Sequence, residues 1–251
     1  MLNGGNLDLG VGEIRPFFKS VKGILFLLSG ISMMINLYLI FMWVPTEAVL
    51  GHVQRIMYVH VPMAWIAFMA FFVVLIGSIG YLATRKSNWD LLAVSAAEIG
   101  VIFTSLVLIT GPIWAKPVWG VWWTWDPRLI TTLVLWLTYA SYLMLRSYSF
   151  NSTQGAIFSS VLGIIGFVNV PIVYFAVDLW RTQHQRLVIG GSSLEGNLHQ
   201  DMWVTLLFSL WAFTLLFSFL LWDKIALRKV EDDITEVEYL VNRDIEWRDQ
   251  L

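Results

Sequence analysis

Cysteine is absent from this 251-residue chain. That excludes disulfides, thiolate metal sites, thiol nucleophiles and covalent thioether attachment to the chain itself. Charge is scarce as well: Asp, Glu, Lys and Arg make up 14% of the residues, and the formal net charge is −2. So near-neutral a balance gives no electrostatic footprint for nucleic acid. The phosphate-cradling run G-x-x-x-x-G-K-[ST] does not occur, so the chain is not expected to hydrolyse ATP. No Ser-His-Asp set, activated nucleophile or pair of carboxylates is evident, which points to a binding surface with little acid–base machinery and no catalytic residue. What fills the chain instead is apolar: 57% of residues are hydrophobic. Such an excess with few charges is the signature of an integral membrane protein.

The apolar residues fall into six runs, at 24–44, 61–83, 91–114, 129–145, 156–177 and 202–222. About 20 such residues span the hydrocarbon core. The expected fold is therefore an all-α membrane protein of six transmembrane helices, one membrane domain over 1–251. The first run has 21 uncharged residues and no small-x-small cleavage site, so it reads as a retained helix rather than a signal peptide. Asn169 and Pro171 interrupt the fifth run and predict a kink there. Nine Lys and Arg flank one side (15, 19, 22, 85, 86, 146, 224, 228, 229) and five the other (55, 116, 128, 181, 186). The positive-inside rule then puts both termini in the cytoplasm and the loops at 45–60, 115–128 and 178–201 outside. The charged segment 223–251 reads as a solvated cytoplasmic helix or a disordered end, with docking to a partner as the lesser alternative.

One outward loop is unlike the rest. Residues 112–127 read P-I-W-A-K-P-V-W-G-V-W-W-T-W-D-P and hold Trp114, Trp119, Trp122, Trp123 and Trp125, five of fourteen tryptophans. Prolines at 112, 117 and 127 are expected to break any long helix through it. The piece between Pro117 and Pro127 could form two or three turns, placing Trp119, Trp122, Trp123 and Asp126 on one arc of roughly 100°. An interfacial aromatic belt is one reading. The density of tryptophan and the closing Asp-Pro favour a platform for a large flat apolar ligand.

All four histidines lie on the same outer side: His52, His60, His184 and His199. A histidine at a membrane edge is commonly a hydrogen-bonded helix end. His60, at the start of the second run, and His184, beyond the fifth, share a depth and lie on different helices. Two neutral imidazoles from opposite directions suit an iron held in a porphyrin plane. A zinc site would draw on three or four ligands and leave the tryptophans unexplained. His52 and His199 read as loop residues. Outward arginines either pair with Asp126, Asp178 or headgroup phosphate, or grip carboxylates such as porphyrin propionates. Arg55 and Arg128 are the first candidates, Arg181 a weaker one. Glu98, inside the third run, is left as a structural acid bonding across helices or snorkelling.

The run Trp119-Gly120-Val121-Trp122-Trp123-Thr124-Trp125-Asp126 matches W-G-x-W-W-x-W-D, the tryptophan-rich signature of the haem-handling proteins of cytochrome c maturation. With six spans and one histidine on either side of the loop, the chain resembles the CcmC family, haem exporter or haem lyase protein C, over about residues 20–224. The resemblance implies haem b bound at the outer face of the bacterial inner membrane. It implies that the tryptophan loop holds the porphyrin edge and that His60 and His184 are the axial ligands. The implied partners are an ATP-binding-cassette pair (CcmAB-like), a small single-span subunit (CcmD-like) and membrane lipid. The implied task is loading a periplasmic haem chaperone (CcmE-like) for covalent attachment, at most a lyase-like activity by positioning. Two rival readings are a transporter moving haem through its own helices and a membrane b-type cytochrome. Topology is checked by reporter fusions: Arg85 and Ser152 are expected to report cytoplasm, Pro117 and Ser192 periplasm. A cytoplasmic signal at Pro117 would remove the outer-site argument.

Overall fold

The computed structural model describes residues 15–148, 152–180, 182, 184 and 199–249. Among them the regular structure is helical, with a single isolated bridge between Glu47 and Gly51. The helices are α1 (Arg15–Tyr38), α2 (Met57–Thr84), α3 (Ser87–Trp119), α4 (Pro127–Tyr148), α5 (Ser152–Phe167), α6 (Asn169–Leu179) and α7 (Gln200–Asp249). A π-turn, Leu39–Trp43, continues α1, and a 3-10 turn, His52–Ile56, leads into α2. Six stretches are long and apolar enough to cross a membrane, α5 and α6 together making one of them. The chain is a multi-pass all-α membrane protein.

Two expectations about the tryptophan segment are overturned. The prolines do not break α3, which runs for 33 residues through both Pro112 and Pro117. A proline deletes one bond of the ladder, but burial along the rest of the helix remains, and such prolines are tolerated in membrane helices when neighbours support the backbone. At 1.5 Å per residue α3 is about 50 Å long, well beyond a ~30 Å hydrocarbon core, so part of it extends past the apolar layer. Nor is there a helix between Pro117 and Pro127. Gly120 takes a left-handed conformation (φ 77°) and its N–H bonds the Lys116 carbonyl at 3.0 Å, which ends α3 at Trp119. Lys116 Nζ also donates to the Gly120 carbonyl, at 2.8 Å. Residues 120–126 are irregular, so the common helical arc does not form.

The kink in the fifth span is present at Val168, between α5 and α6. Asn169 fixes it by donating to the Thr131 carbonyl of α4 at 2.8 Å. The charged tail is neither separate nor irregular: it is the second half of α7, a continuous 50-residue helix.

The bundle is organised on α2 and α3, its most extensive pair; α5 packs on α2, α4 bridges α3, α5 and α6, and α7 lies along α2 and α3 with α1 behind it. Small side chains let α2 and α3 approach: a methyl at Gly77 would sit 2.9 Å from the Trp89 carbonyl oxygen and from Ala93 Cβ. Phe71 of α2 stacks on Tyr139 of α4 at 3.8 Å, and the Tyr139 hydroxyl donates to the Gly163 carbonyl of α5 at 3.0 Å. At the end remote from the tryptophans, Arg146 pairs with buried Asp90 at 2.6 Å. There Glu98 binds both Lys224, at 2.7 Å, and Arg228. Glu98 thus bonds across helices, tying α3 to α7.

Gly77→Ala is expected to destabilise the detergent-solubilised protein by about 1–3 kcal/mol, because the Trp89 carbonyl is backbone and cannot rotate away. Gly30→Ala, whose methyl meets nothing within 4 Å, should hold or slightly raise stability. Thermal unfolding of the pair measures both.

Candidate functional site

Asp126 is the N-cap of α4. Its Oδ1 accepts the Arg128 backbone N–H at 3.0 Å, and its own carbonyl accepts the Ile130 N–H at 3.0 Å. Pro127 follows at the first helical position, where its missing N–H costs nothing. A carboxylate here also complements the helix dipole. The same carboxylate reaches outward. Oδ2 accepts the Thr182 hydroxyl at 2.5 Å, and Oδ1 lies 3.2 Å from His184 Nδ1. Thr182 Oγ1 in turn accepts the His184 backbone N–H at 3.1 Å. The start of α4 therefore holds Thr182 and the His184 ring.

Trp119, the last residue of α3, meets the His184 ring edge-on, with centroids 4.9 Å apart. Trp114 lies one turn back, 6.2 Å from Trp119. Further along the loop Trp123 and Trp125 form a T-shaped pair at 5.9 Å. Lys116 Nζ sits 5.9 Å over Trp122. Trp122 is 59% exposed and Trp125 77%, so the loop that follows Trp119 offers uncovered aromatic surface.

His60 stands in the first turn of α2, against α3. Its Nδ1 is 2.8 Å from Thr110 Oγ1, and that hydroxyl is 2.8 Å from the Leu106 carbonyl. Thr110 has one hydrogen. The assignment that satisfies both contacts donates it to Leu106 and lets Oγ1 accept from His60 Nδ1–H. A carboxylate facing His184 can likewise only accept. Both imidazoles are then Nδ1–H tautomers with Nε2 carrying the lone pair, and neither Nε2 has a hydrogen-bond partner among the described residues. This is the arrangement that outer-shell groups impose on metal-binding histidines. His60, His184 and Arg128 are near enough to feel one another's charge. Burial holds His184 below the ordinary imidazole value; Asp126 opposes this and Arg128 adds to it.

Of the anticipated residues, His60, His184, Trp114, Trp119, Asp126 and Arg128 gather at one end of the bundle. Arg128 lies in the field of Asp126, Tyr174 and Asp178. Arg55, in the 3-10 turn before α2, has a buried Nε without a partner among the described residues, as does Trp114 Nε1. His52 is exposed, and His199 pairs with Asp201 in the following turn. Arg181, Arg186 and Ser192 lie outside the described residues. Sequence reasoning missed Thr110 and Thr182. A threonine inside an apolar run is common, and only the pairing of α2 with α3 shows what Thr110 faces.

His184 should titrate below 6.5 in an NMR pH series, since burial outweighs the carboxylate. Any stability this neutral ring gives is full above about 6.5 and is lost as pH falls through the lowered value. Asp126→Asn should move the titration to still lower pH. A His184 titration above 6.5 would show that Asp126 dominates and that the ring is held as a cation.

Comparison with known proteins identifies the family. The family described as heme exporter protein C matches residues 12–238. The heme exporter protein C of Bradyrhizobium diazoefficiens is 39% identical over 176 residues, covering 69% of this chain and 65% of that protein. That of Rhodobacter capsulatus is 35% identical over 186 residues, 72% and 75% of the two chains. That of Escherichia coli K12 is 31% identical over 176 residues, 70% of each. The chain belongs to the heme exporter protein C family.

Proposed function

We propose that the chain binds haem b at the periplasmic face of the bacterial inner membrane and presents it to a periplasmic haem chaperone during cytochrome c maturation. The observation that carries this reading is the pair of imidazoles, each held by Nδ1 and each offering Nε2, beside a surface of exposed tryptophan. Iron in a porphyrin takes one neutral nitrogen above and one below the plane. The donor set suits that ion better than a tetrahedral one, since no group of three His, Cys, Asp or Glu able to hold a metal occurs among the described residues.

In this reading His60 and His184 hold the iron of the cargo. Thr110 and Asp126 fix their tautomers. Trp119 buttresses the His184 ring, while Trp122, Trp123 and Trp125 lie along the porphyrin edge. Arg55 and Trp114 supply buried donors for propionate oxygens, and Arg128 adds positive potential. The protein contributes orientation rather than proton transfer. Family membership supports an ATP-binding-cassette pair (CcmAB-like) and a small single-span subunit (CcmD-like) as companions.

Ligand and platform separate by mutation. His60→Gly or His184→Gly should lower haem content or shift its spectrum, with partial rescue by imidazole, while His52→Ala and His199→Ala should do neither. Asp126→Ala should cost about 10–100-fold in haem affinity, as loss of outer-shell partners does. Trp119→Ala and Trp123→Ala should leave detectable haem but reduce covalent loading of the chaperone by about 2- to 13-fold each, the worth of one aromatic contact. Phe at either position should be milder. Haem stain of both proteins from the same membranes reads all of this. Wild-type loading in both Trp→Ala variants would reduce the loop to an interfacial belt.

A further inference from the structure

Beyond its last apolar turn, α7 continues from Asp223 to Asp249, roughly 40 Å of helix past the membrane core. Its base is braced: Glu98 of α3 holds Lys224 and Arg228, and Lys22 of α1 pairs with Asp223. The arm therefore leaves the bundle in a fixed direction, at the end opposite the tryptophan loop.

Leu227, Val230, Ile234, Val237 and Val241 follow one another at intervals of three, four, three and four residues. On a helix they form one stripe about 80° wide. That is the a/d seam of a coiled coil. Each of the five is between 48% and 59% exposed, and among the described residues no neighbouring helix covers them. The stripe begins in a shallow groove lined by Lys22, Asp223, Ala226, Leu227 and Val230. A helix that merely projected into water would gain nothing from such a row.

The flanks say what fits. From Val230 to Val241 there are five acids, Glu231, Asp232, Asp233, Glu236 and Glu238, and no base. Glu231 and Glu238 border the seam on one side and Asp233 on the other. A second copy would set acid against acid at these bordering positions, in either parallel or antiparallel pairing. An anionic leaflet would repel the same rows. We propose that the arm is a docking helix for an amphipathic helix of a partner protein, apolar at its own a and d positions and flanked by Lys or Arg. This does not depend on the haem site.

The test uses the full-length chain in detergent and two synthetic helices of equal length, both with Leu at a and d, one with Lys and the other with Glu at the flanks. Fluorescence anisotropy should show the Lys-flanked helix binding at least ten-fold more tightly. Ile234→Asp with Val237→Asp should weaken it more than ten-fold. Glu231→Lys with Glu238→Lys should erase the preference. Tyr239→Asp, on the opposite face, should change nothing. Because the arm lies outside the bundle, all variants should keep the parent's haem content, which separates this result from any failure of the haem reading. Equal binding of both helices, or indifference to Ile234→Asp with Val237→Asp, overturns the proposal. A photocrosslinker at Ile234 in intact membranes should give an adduct with a Lys- or Arg-flanked segment, and an adduct with a second copy of this chain or with lipid alone overturns it too.

Discussion

One carboxylate sets the geometry of the tryptophan end. Asp126 caps α4 with an oxygen that also faces His184, and its second oxygen holds Thr182. These contacts cannot be varied independently. The helix start fixes the carboxylate, the carboxylate fixes the tautomer of His184, and the ring then has a defined face toward Trp119. The electrostatics run the same way. Burial disfavours imidazolium, and the acid offsets only part of that, so the ring stays neutral while still tightly oriented.

His60 reaches the same end by a different route. Among the described residues it has no acid beside it. It depends on the close packing of α2 on α3, which brings Thr110 under the ring. The approach of these helices rests on small residues such as Gly77 and Ala93, several turns away toward the other end. Packing in the middle of the bundle is thereby coupled to the placement of the His60 ring at its edge, through two long helices.

The spans were legible because a bilayer imposes length and polarity on each segment separately, and the kink at 168 because Pro171 removes a donor. The tryptophan loop was not. Its three prolines signalled breaks, but burial along α3 outweighed two of them, and the actual stop came from Gly120 in a left-handed conformation. Asp126-Pro127 carried a readable signal, since Asp then Pro is a helix start; taken as the end of a short helix, it hid the cap. The two histidines could be picked out by side and depth. Thr110 and Thr182 could not, because nothing in a single sequence says which threonine faces which ring. Continuity of α7 was hidden for the opposite reason. The charge content of 223–251 dominates its composition, while the apolar stripe within it shows only at helical spacing.

The polar residues inside the spans bear on the rival idea of a path through the helices. Such a path would be built from groups that remain available to a cargo. Asn169 is committed to the Thr131 carbonyl, and Asn36 to Ser209 at 2.7 Å. Glu98 is committed to two cations of α7. Each joins one helix to another, as polar groups in membrane bundles commonly do. Among the described residues, buried polar atoms without a partner include Arg55 Nε and Trp114 Nε1 near the histidines, and the hydroxyls of Ser78, Ser95 and Ser160 within the spans. With these two asparagines and Glu98 spent on joining helices, what the described interior leaves open is a few small, scattered hydroxyls, a poor lining for a path.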